Sequence, residues 1–200
     1  MERKEQKRSA RHLKSFALYS DFNCPFCYAL HERLHIMQSL ELVDWRGVQH
    51  APYLPHPMRQ WDGAMKAELQ REVTVVKRLA PDLAIELPKG KPNTKPAIGR
   101  AARLLCQDVS RGMEFVRLVY VAFWRDGLDI SDEAVLDQLA VRYDDARILG
   151  RPADPSGSIV REWEEGWHDT GQAGVPILVS PDERLLLGCV PQEQIERFFG

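Results

Sequence analysis

Cys24-Pro25-Phe26-Cys27 sets two thiols three positions apart, one helical turn, with a proline directly after the first. The residues ahead of them, Phe16-Ala17-Leu18-Tyr19-Ser20, form a short apolar run, and Asp21-Phe22-Asn23 reads as a turn. Strand, turn and helix N-terminus therefore follow in that order. Asn23 is the expected N-cap, and Pro25 falls in the first turn, where a missing N–H costs nothing. The free N–H groups and positive dipole end of such a helix stabilise a thiolate at its start, lowering that thiol from about 8.5 toward neutrality. Cys24 is the candidate nucleophile, and Cys27, one turn deeper, is placed to attack a mixed disulfide on Cys24 and release the reduced partner.

A metal is the rival for these thiols, because His31 and His35 continue the line as Cys-x2-Cys-x3-His-x3-His. On one helix Cys24 and His35 would stand about 16 Å apart, whereas the ligands of one zinc ion lie within about 4 Å of each other. They cannot share an ion, so no metal site is expected. Both histidines are expected on a partly exposed helical face.

Gly174-Val175-Pro176 stands just before the apolar run Ile177-Leu178-Val179-Ser180. A proline there cannot donate to a sheet ladder and needs a special backbone, most simply a cis Val175–Pro176 bond at a turn. Of the two remaining cysteines, Cys106 follows Leu104-Leu105 and is expected as a small core residue. Cys189, before the last helix, is expected to fill space, with a third redox thiol as the sharper alternative.

The 200 residues suffice for one domain with its own core. Hydrophobic residues make up 44% and charged ones 28%, and 27 basic against 29 acidic side chains leave a net charge of −2. That balance argues against nucleic acid as a partner. No stretch approaches the roughly 20 apolar residues of a membrane span, and the basic segment 1–14 lacks the apolar region of a secretory signal. A cytoplasmic protein is expected, with 1–14 as a flexible basic leader.

The elements that must position the dithiol read as follows. Phe16–Ser20, a helix from Pro25 to about Leu40 and a strand over Leu42–Gln49 make a βαβ beginning. The helix should bury Phe26, Leu30, Leu34 and either Ile36 or Met37. After the proline-rich turn at Pro52–Pro57, helical patterns run over Gly63–Leu79, Pro96–Ser110, Met113–Arg125 and Glu133–Tyr143, with Gly112 between the second and third and Ser131 as N-cap of the fourth. Tyr120, Phe123 and Trp124 are expected in the core, and His56, Met58 and Trp61 at the rim of the dithiol cleft. Asn93 is open between an N-cap and a pocket-lining role. A helix over Ser156–Asp169, burying Trp163 and Trp167, leads to a hairpin of Ile177–Ser180 and Leu185–Leu187, and Pro191–Phe199 closes the chain as a helix. The division expected is a core of 15–55 and 156–200 around a helical insertion at 56–155.

Tyr19-Ser20-Asp21-Phe22-Asn23-Cys24-Pro25-Phe26-Cys27 and Gly174-Val175-Pro176 with Leu187-Gly188 resemble the DsbA-like thioredoxin superfamily. Pro92-Asn93-Thr94, Ala101-Ala102-Arg103-Leu104-Leu105 and Phe123-Trp124-Arg125-Asp126-Gly127-Leu128-Asp129-Ile130-Ser131 resemble, within it, the branch of FrnE-type oxidoreductases and 2-hydroxychromene-2-carboxylate isomerases. The likeness covers about 16–199. It implies an α/β thioredoxin fold, β-α-β then α-β-β-α, with an all-helical insertion. It also implies a proline opposite the dithiol, where the main chain of Val175 can pair with an extended peptide or with glutathione.

Two chemistries follow from the resemblance. The isomerases and kappa-class glutathione transferases carry serine in place of the first cysteine, whereas this chain keeps both thiols. A resolving Cys27 is needed for dithiol exchange and not for holding glutathione's sulfur. The expectation is a protein disulfide oxidoreductase with Cys24 and Cys27 as catalytic residues and Pro25, Phe26, Asn93, Val175 and Pro176 lining the substrate. A glutathione-dependent isomerase or transferase is the alternative. No tightly bound cofactor is expected, with glutathione as a co-substrate it could use and a disulfide- or thiol-containing protein as partner. The oligomeric state is open between monomer and homodimer. Pro25-Phe26 supplies no charge, so the potential should fall between about −270 mV for thioredoxin and about −120 mV for DsbA.

Overall fold

The computed structural model describes residues 15–61, 63–141 and 156–200. The expected leader at 1–14 and the stretch 142–155, with the expected helix end at Tyr143, lie outside the described residues. Four strands form one sheet in the order β2-β1-β3-β4, where β1 is Phe16–Ser20, β2 Val43–Gly47, β3 Ile177–Val179 and β4 Leu185–Leu187. β1 pairs parallel with β2 and antiparallel with β3, and β3 pairs antiparallel with β4. All five residues of β1 are buried, as a central strand requires, while β2 alternates with Val43, Trp45 and Gly47 inward.

The helices are α1 (Pro25–Ile36), α2 (Gly63–Leu79), α3 (Lys95–Gln107), α4 (Val109–Trp124), α5 (Glu133–Ala140), α6 (Ser156–Asp169) and α7 (Gln192–Phe199). α1 is the crossover between the parallel strands β1 and β2. It ends at Ile36, which is exposed, so Met37 packs on the core and Ile36 does not. A 3-10 turn at Leu40–Leu42 then starts β2 at Val43.

α2 to α5 stand between β2 and α6 in the chain, yet they share one hydrophobic core with the sheet. Phe115, Val119, Tyr120, Phe123 and Trp124 of α4 join Phe22, Leu30 and Trp45 there. Phe22 packs against both Trp45 and Tyr120, at ring-centroid distances of 5.0 and 4.9 Å. Trp163 and Trp167 are buried, Trp163 in an edge-to-face contact with Trp45.

At two helix N-termini the start or the cap differs from expectation. α4 starts at Val109, capped by Asp108, whose carboxylate accepts from the Arg111 N–H at 3.1 Å, so Gly112 lies inside the helix and does not end one. A Cβ at Gly112 would come within 2.6 Å of Leu105, and the glycine is there because α3 and α4 pack so closely. α5 is capped by Asp132, accepting from Ala134 N–H at 2.9 Å. Ser131, the expected cap, is instead fully buried and donates its hydroxyl to Asp129 at 2.6 Å.

Candidate active site around Cys24 and Cys27

Parallel pairing of β1 and β2 brings the segments that leave their C-terminal ends side by side, and Val48 N–H still donates to Ser20 carbonyl at 3.0 Å beyond the strands. From that edge the chain turns through Asp21-Phe22-Asn23 into α1. Cys24 itself is the N-cap, with extended backbone, and Pro25 is the first helical residue. Asn23 is therefore not the cap. Its amide donates to Pro92 carbonyl at 2.9 Å, tying the turn to the loop before α3. Trp124 Nε1 donates to Phe22 carbonyl at 2.8 Å, and Tyr120 and Ser20 share a hydroxyl hydrogen bond of 2.7 Å. Residues of the helical segment thus hold the dithiol's turn from beneath.

Both thiols are free, with Cys24 6% exposed and Cys27 fully buried. The Cys24 thiol is pulled below its ordinary value, first by a hydrogen bond from Cys27, against the cost of burial, and further by the charges of His50 and Lys91. Burial pushes the Cys27 thiol well up, and the neighbouring Cys24 adds to that, although Ser20 and the Asp21 N–H, at 3.4 Å from Cys27 Sγ, pull the other way. The two thiols are shifted in opposite directions, Cys24 down and Cys27 up.

The Val175–Pro176 peptide bond is cis, and Cys24 Sγ lies 3.5 Å from the Val175 carbonyl. Two contacts fix this loop. Trp167 Nε1 of α6 donates to Gly174 carbonyl at 3.3 Å, and Gly188 N–H donates to Pro176 carbonyl at 2.9 Å. A cavity of about 160 Å³ lies between Val175, Pro176, Leu187 and Gly188. Phe26 is half-buried and packs against the core, and Pro25 is buried.

Asn93 is half-buried and fully occupied. Its Oδ1 accepts from Lys95 N–H at 3.0 Å and Gln49 Nε2 at 2.8 Å, while Nδ2 donates to Leu54 carbonyl at 2.8 Å. It braces the start of α3 against the segment after β2. His56, Met58 and Trp61 are held by Ser131 and Pro88: His56 Nε2 is 2.8 Å from Ser131 carbonyl, Met58 N–H 3.3 Å from its hydroxyl, and Trp61 Nε1 3.2 Å from Pro88 carbonyl. Cys189 is buried with Arg33 Nη1 at 3.5 Å, and burial pushes its thiol up. Cys106 is half-buried.

His31 departs from expectation. It is wholly buried against the Tyr120 ring at 5.2 Å, with Nδ1 3.8 Å from Glu32 Oε1 and neither ring nitrogen within hydrogen-bond distance of a partner, and burial lowers its pKa while Glu32 opposes the shift. The reason is that α1 is covered on this side by α4, which the sequence pattern of α1 alone does not reveal. His35 is exposed as expected. Among the described residues no group of three or more His, Cys, Asp or Glu could hold a metal ion.

A polar group beside the dithiol was not anticipated. Asp21, fully buried, accepts from the His50 backbone N–H at 3.0 Å and faces His50 Nδ1 at 2.7 Å through the same oxygen. His50 Nε2 faces Lys91 Nζ at 3.3 Å. Sequence reading took Asp21 for a turn residue and passed over His50. The signal available was topological, since residues that follow two parallel neighbouring strands must meet at the C-terminal edge, where α/β proteins place their chemistry.

No curated protein matches the sequence. Among solved structures, the chain is similar to a "probable DsbA oxidoreductase" from Streptomyces coelicolor at 18% identity and TM-score 0.70, covering 92% of this chain and 88% of that one. It is similar to a 2-hydroxychromene-2-carboxylate isomerase at 17% identity and TM-score 0.68, covering 92% and 94%. The cytosolic disulfide reductase DsbM of Pseudomonas aeruginosa, in a structure with GSH, matches at 13% identity and TM-score 0.62, covering 93% and 92%. At these identities the likeness establishes the fold, and none of the described helices is long and apolar enough to cross a membrane. A model of the DSBA-like thioredoxin domain matches residues 17–200, so the chain belongs to the DSBA-like thioredoxin family.

Proposed function

We propose that this protein is a thiol–disulfide oxidoreductase of the cytoplasm. Cys24 as thiolate attacks one sulfur of a substrate disulfide, forming a Cys24–substrate disulfide and releasing the other substrate sulfur as a thiolate. Cys27 then loses its proton and attacks Cys24 Sγ, which frees the second substrate thiol and leaves a Cys24–Cys27 disulfide. Two electrons pass from the dithiol to the substrate, and the reverse sequence oxidises a substrate dithiol. Val175 and Pro176, with Pro25 and Phe26, line the approach, and Asn93 braces it.

The observation that carries this reading is the pair of free thiols with opposite tuning, the lowered one set against the Val175 carbonyl. The groove beside that loop, at about 160 Å³, is smaller than the roughly 300–1,000 Å³ of sites that enclose small ligands. It suits the edge of an extended chain. Glutathione serves as co-substrate that returns the dithiol to its working state, and no tightly bound cofactor is needed. The likeness to a 2-hydroxychromene-2-carboxylate isomerase supplies the alternative, glutathione-dependent isomerisation, which would not need Cys27.

Insulin-disulfide reduction by wild type, Cys24→Ser and Cys27→Ser tests the choice. Disulfide exchange predicts that Cys24→Ser falls to the uncatalysed rate and that Cys27→Ser stalls as a mixed disulfide. Tight glutathione binding without any insulin reduction would favour the isomerase.

A further inference from the structure

Lys91 is a cation held in place beside the dithiol. It is half-buried, and its ammonium lies 3.3 Å from His50 Nε2. An ammonium has only donors, so that ring nitrogen carries no proton and accepts. The ring's proton is then on Nδ1, donated to the Asp21 carboxylate at 2.7 Å, and the same oxygen accepts from the His50 backbone N–H at 3.0 Å. A fully buried carboxylate thus fixes the imidazole, and the imidazole fixes the ammonium. The ring stands between the two charges, and among the described residues no carboxylate is in ion-pair contact with Lys91. Its place relative to Cys24 follows from the chain. Pro92, the next residue, accepts from Asn23 at 2.9 Å, and Asn23 is the residue before Cys24. Lys91 and Cys24 each lie one residue from the same contact. A lysine free in solvent gives up much rotamer freedom to hold a partner, whereas one already held does not.

We propose, resting on the disulfide-exchange reading, that Lys91 binds a carboxylate of glutathione and so selects glutathione as the small-thiol partner of Cys24, with His50 as the residue that positions Lys91. The Cys24 thiolate attacks one sulfur of oxidised glutathione. The bond from Cys24 Sγ to that sulfur forms, the glutathione disulfide breaks, and one glutathione leaves as thiolate. The glutathionyl group left on Cys24 carries its glycine carboxylate one residue beyond its sulfur-bearing residue, at about 3.5 Å per residue, a remove like that of Lys91 from Cys24. The thiolate's charge departs with the leaving glutathione, and this carboxylate takes its place as counter-charge of Lys91. Cys27 then attacks Cys24 Sγ, and its proton goes to the second glutathione as that one leaves. One thiolate, one thiol and one disulfide thus yield the Cys24–Cys27 disulfide, one glutathione thiolate and one glutathione thiol, with protons and electrons balanced.

The test compares oxidised glutathione with its ethyl ester, in which every carboxylate is masked, as oxidants of the reduced protein, with acid-quenched samples weighed intact over time. The salt is about 1 M, where the Debye length falls to about 3 Å and long-range steering is screened. The rate with oxidised glutathione divided by the rate with the ester should be about tenfold larger for wild type than for Lys91→Met, as the loss of one charge-assisted contact requires. The intrinsic difference between the two disulfides is the same for both proteins, and any change in the Cys24 thiol is the same for both disulfides, so neither enters this comparison. His50→Phe leaves Lys91 its charge and removes the nitrogen that holds it, and should lower the wild-type ratio about threefold. Equal ratios in wild type and Lys91→Met overturn the proposal, and a His50→Phe ratio equal to wild type overturns the role given to His50. A wild type that forms no Cys24–Cys27 disulfide with either oxidant overturns the exchange reading along with it. Should Lys91→Met not fold, wild type alone decides: its ratio divided by that of free dithiothreitol is about tenfold with the contact and about one without it.

Discussion

Cys24 and Cys27 are the same residue type one turn apart, and their surroundings make them chemically unlike. Cys24 sits at the N-cap, reached by the fields of His50 and Lys91, while Cys27 is wholly buried, with Ser20 and the Asp21 N–H beside it. Because Lys91 favours the thiolate, Lys91→Met should raise the Cys24 pKa and move its alkylation profile to higher pH. Iodoacetamide rates against pH measure this, and a profile that stays in place would show that Lys91 does not act on the thiol. At this scale the sequence displayed the thiols and the proline at Val175–Pro176, because contiguous motifs announce themselves. His50 meets Asp21 across 29 residues of chain and Lys91 meets His50 across 41, and no local pattern marks such meetings.

At the scale of elements, one ion pair joins α4 to α1, and one missing side chain lets α3 close on α4. Glu32 on α1 receives Arg117 of α4 at 2.8 and 3.0 Å. Burial acts to raise the Glu32 carboxyl, but His31 and Arg117 together hold it down to about 2 against an ordinary 4.5. A carboxyl with a depressed folded pKa stabilises fully above its unfolded value and loses that contribution as the pH falls toward the folded one. Glu32→Gln should cost about 1.5–3 kcal/mol near neutrality, and the difference from wild type should shrink between about pH 4.5 and 2. Urea melts at several pH values read it out. At the α3–α4 contact, Gly112→Val would press against Leu105, including its Cα at 2.7 Å, and should destabilise by about 1–3 kcal/mol. Sequence reading treated Gly112 as a boundary since glycine commonly ends helices. Close helix packing makes the same demand for glycine, and only the partner helix distinguishes the two. The strands and helices of the described residues were otherwise legible, because each apolar period has a definite turn or proline at its ends.

For the whole molecule, the helices between β2 and α6 and the thioredoxin sheet make a single core, and the site is assembled from both. Pro92, Tyr120 and Trp124 hold the turn before Cys24, while Trp167 holds the loop that carries Val175 and Pro176. Loosening that loop should harm substrate positioning and spare the thiol. Trp167→Phe keeps the ring and removes the Nε1 donor to Gly174. It should lower kcat/KM for a peptide disulfide about fivefold, the worth of roughly 1 kcal/mol, with the Cys24 alkylation rate unchanged. Equal losses in both would mean that the loop also governs thiol reactivity. The central claim is that Cys24 and Cys27 act as one two-electron couple. Wild type equilibrated against oxidised and reduced glutathione, quenched in acid and weighed intact, tests it most directly. The account predicts a single transition to a species lighter by two hydrogens and bridged between Cys24 and Cys27. Thiols that remain free at every glutathione ratio, or only a glutathione adduct on Cys24, would contradict it.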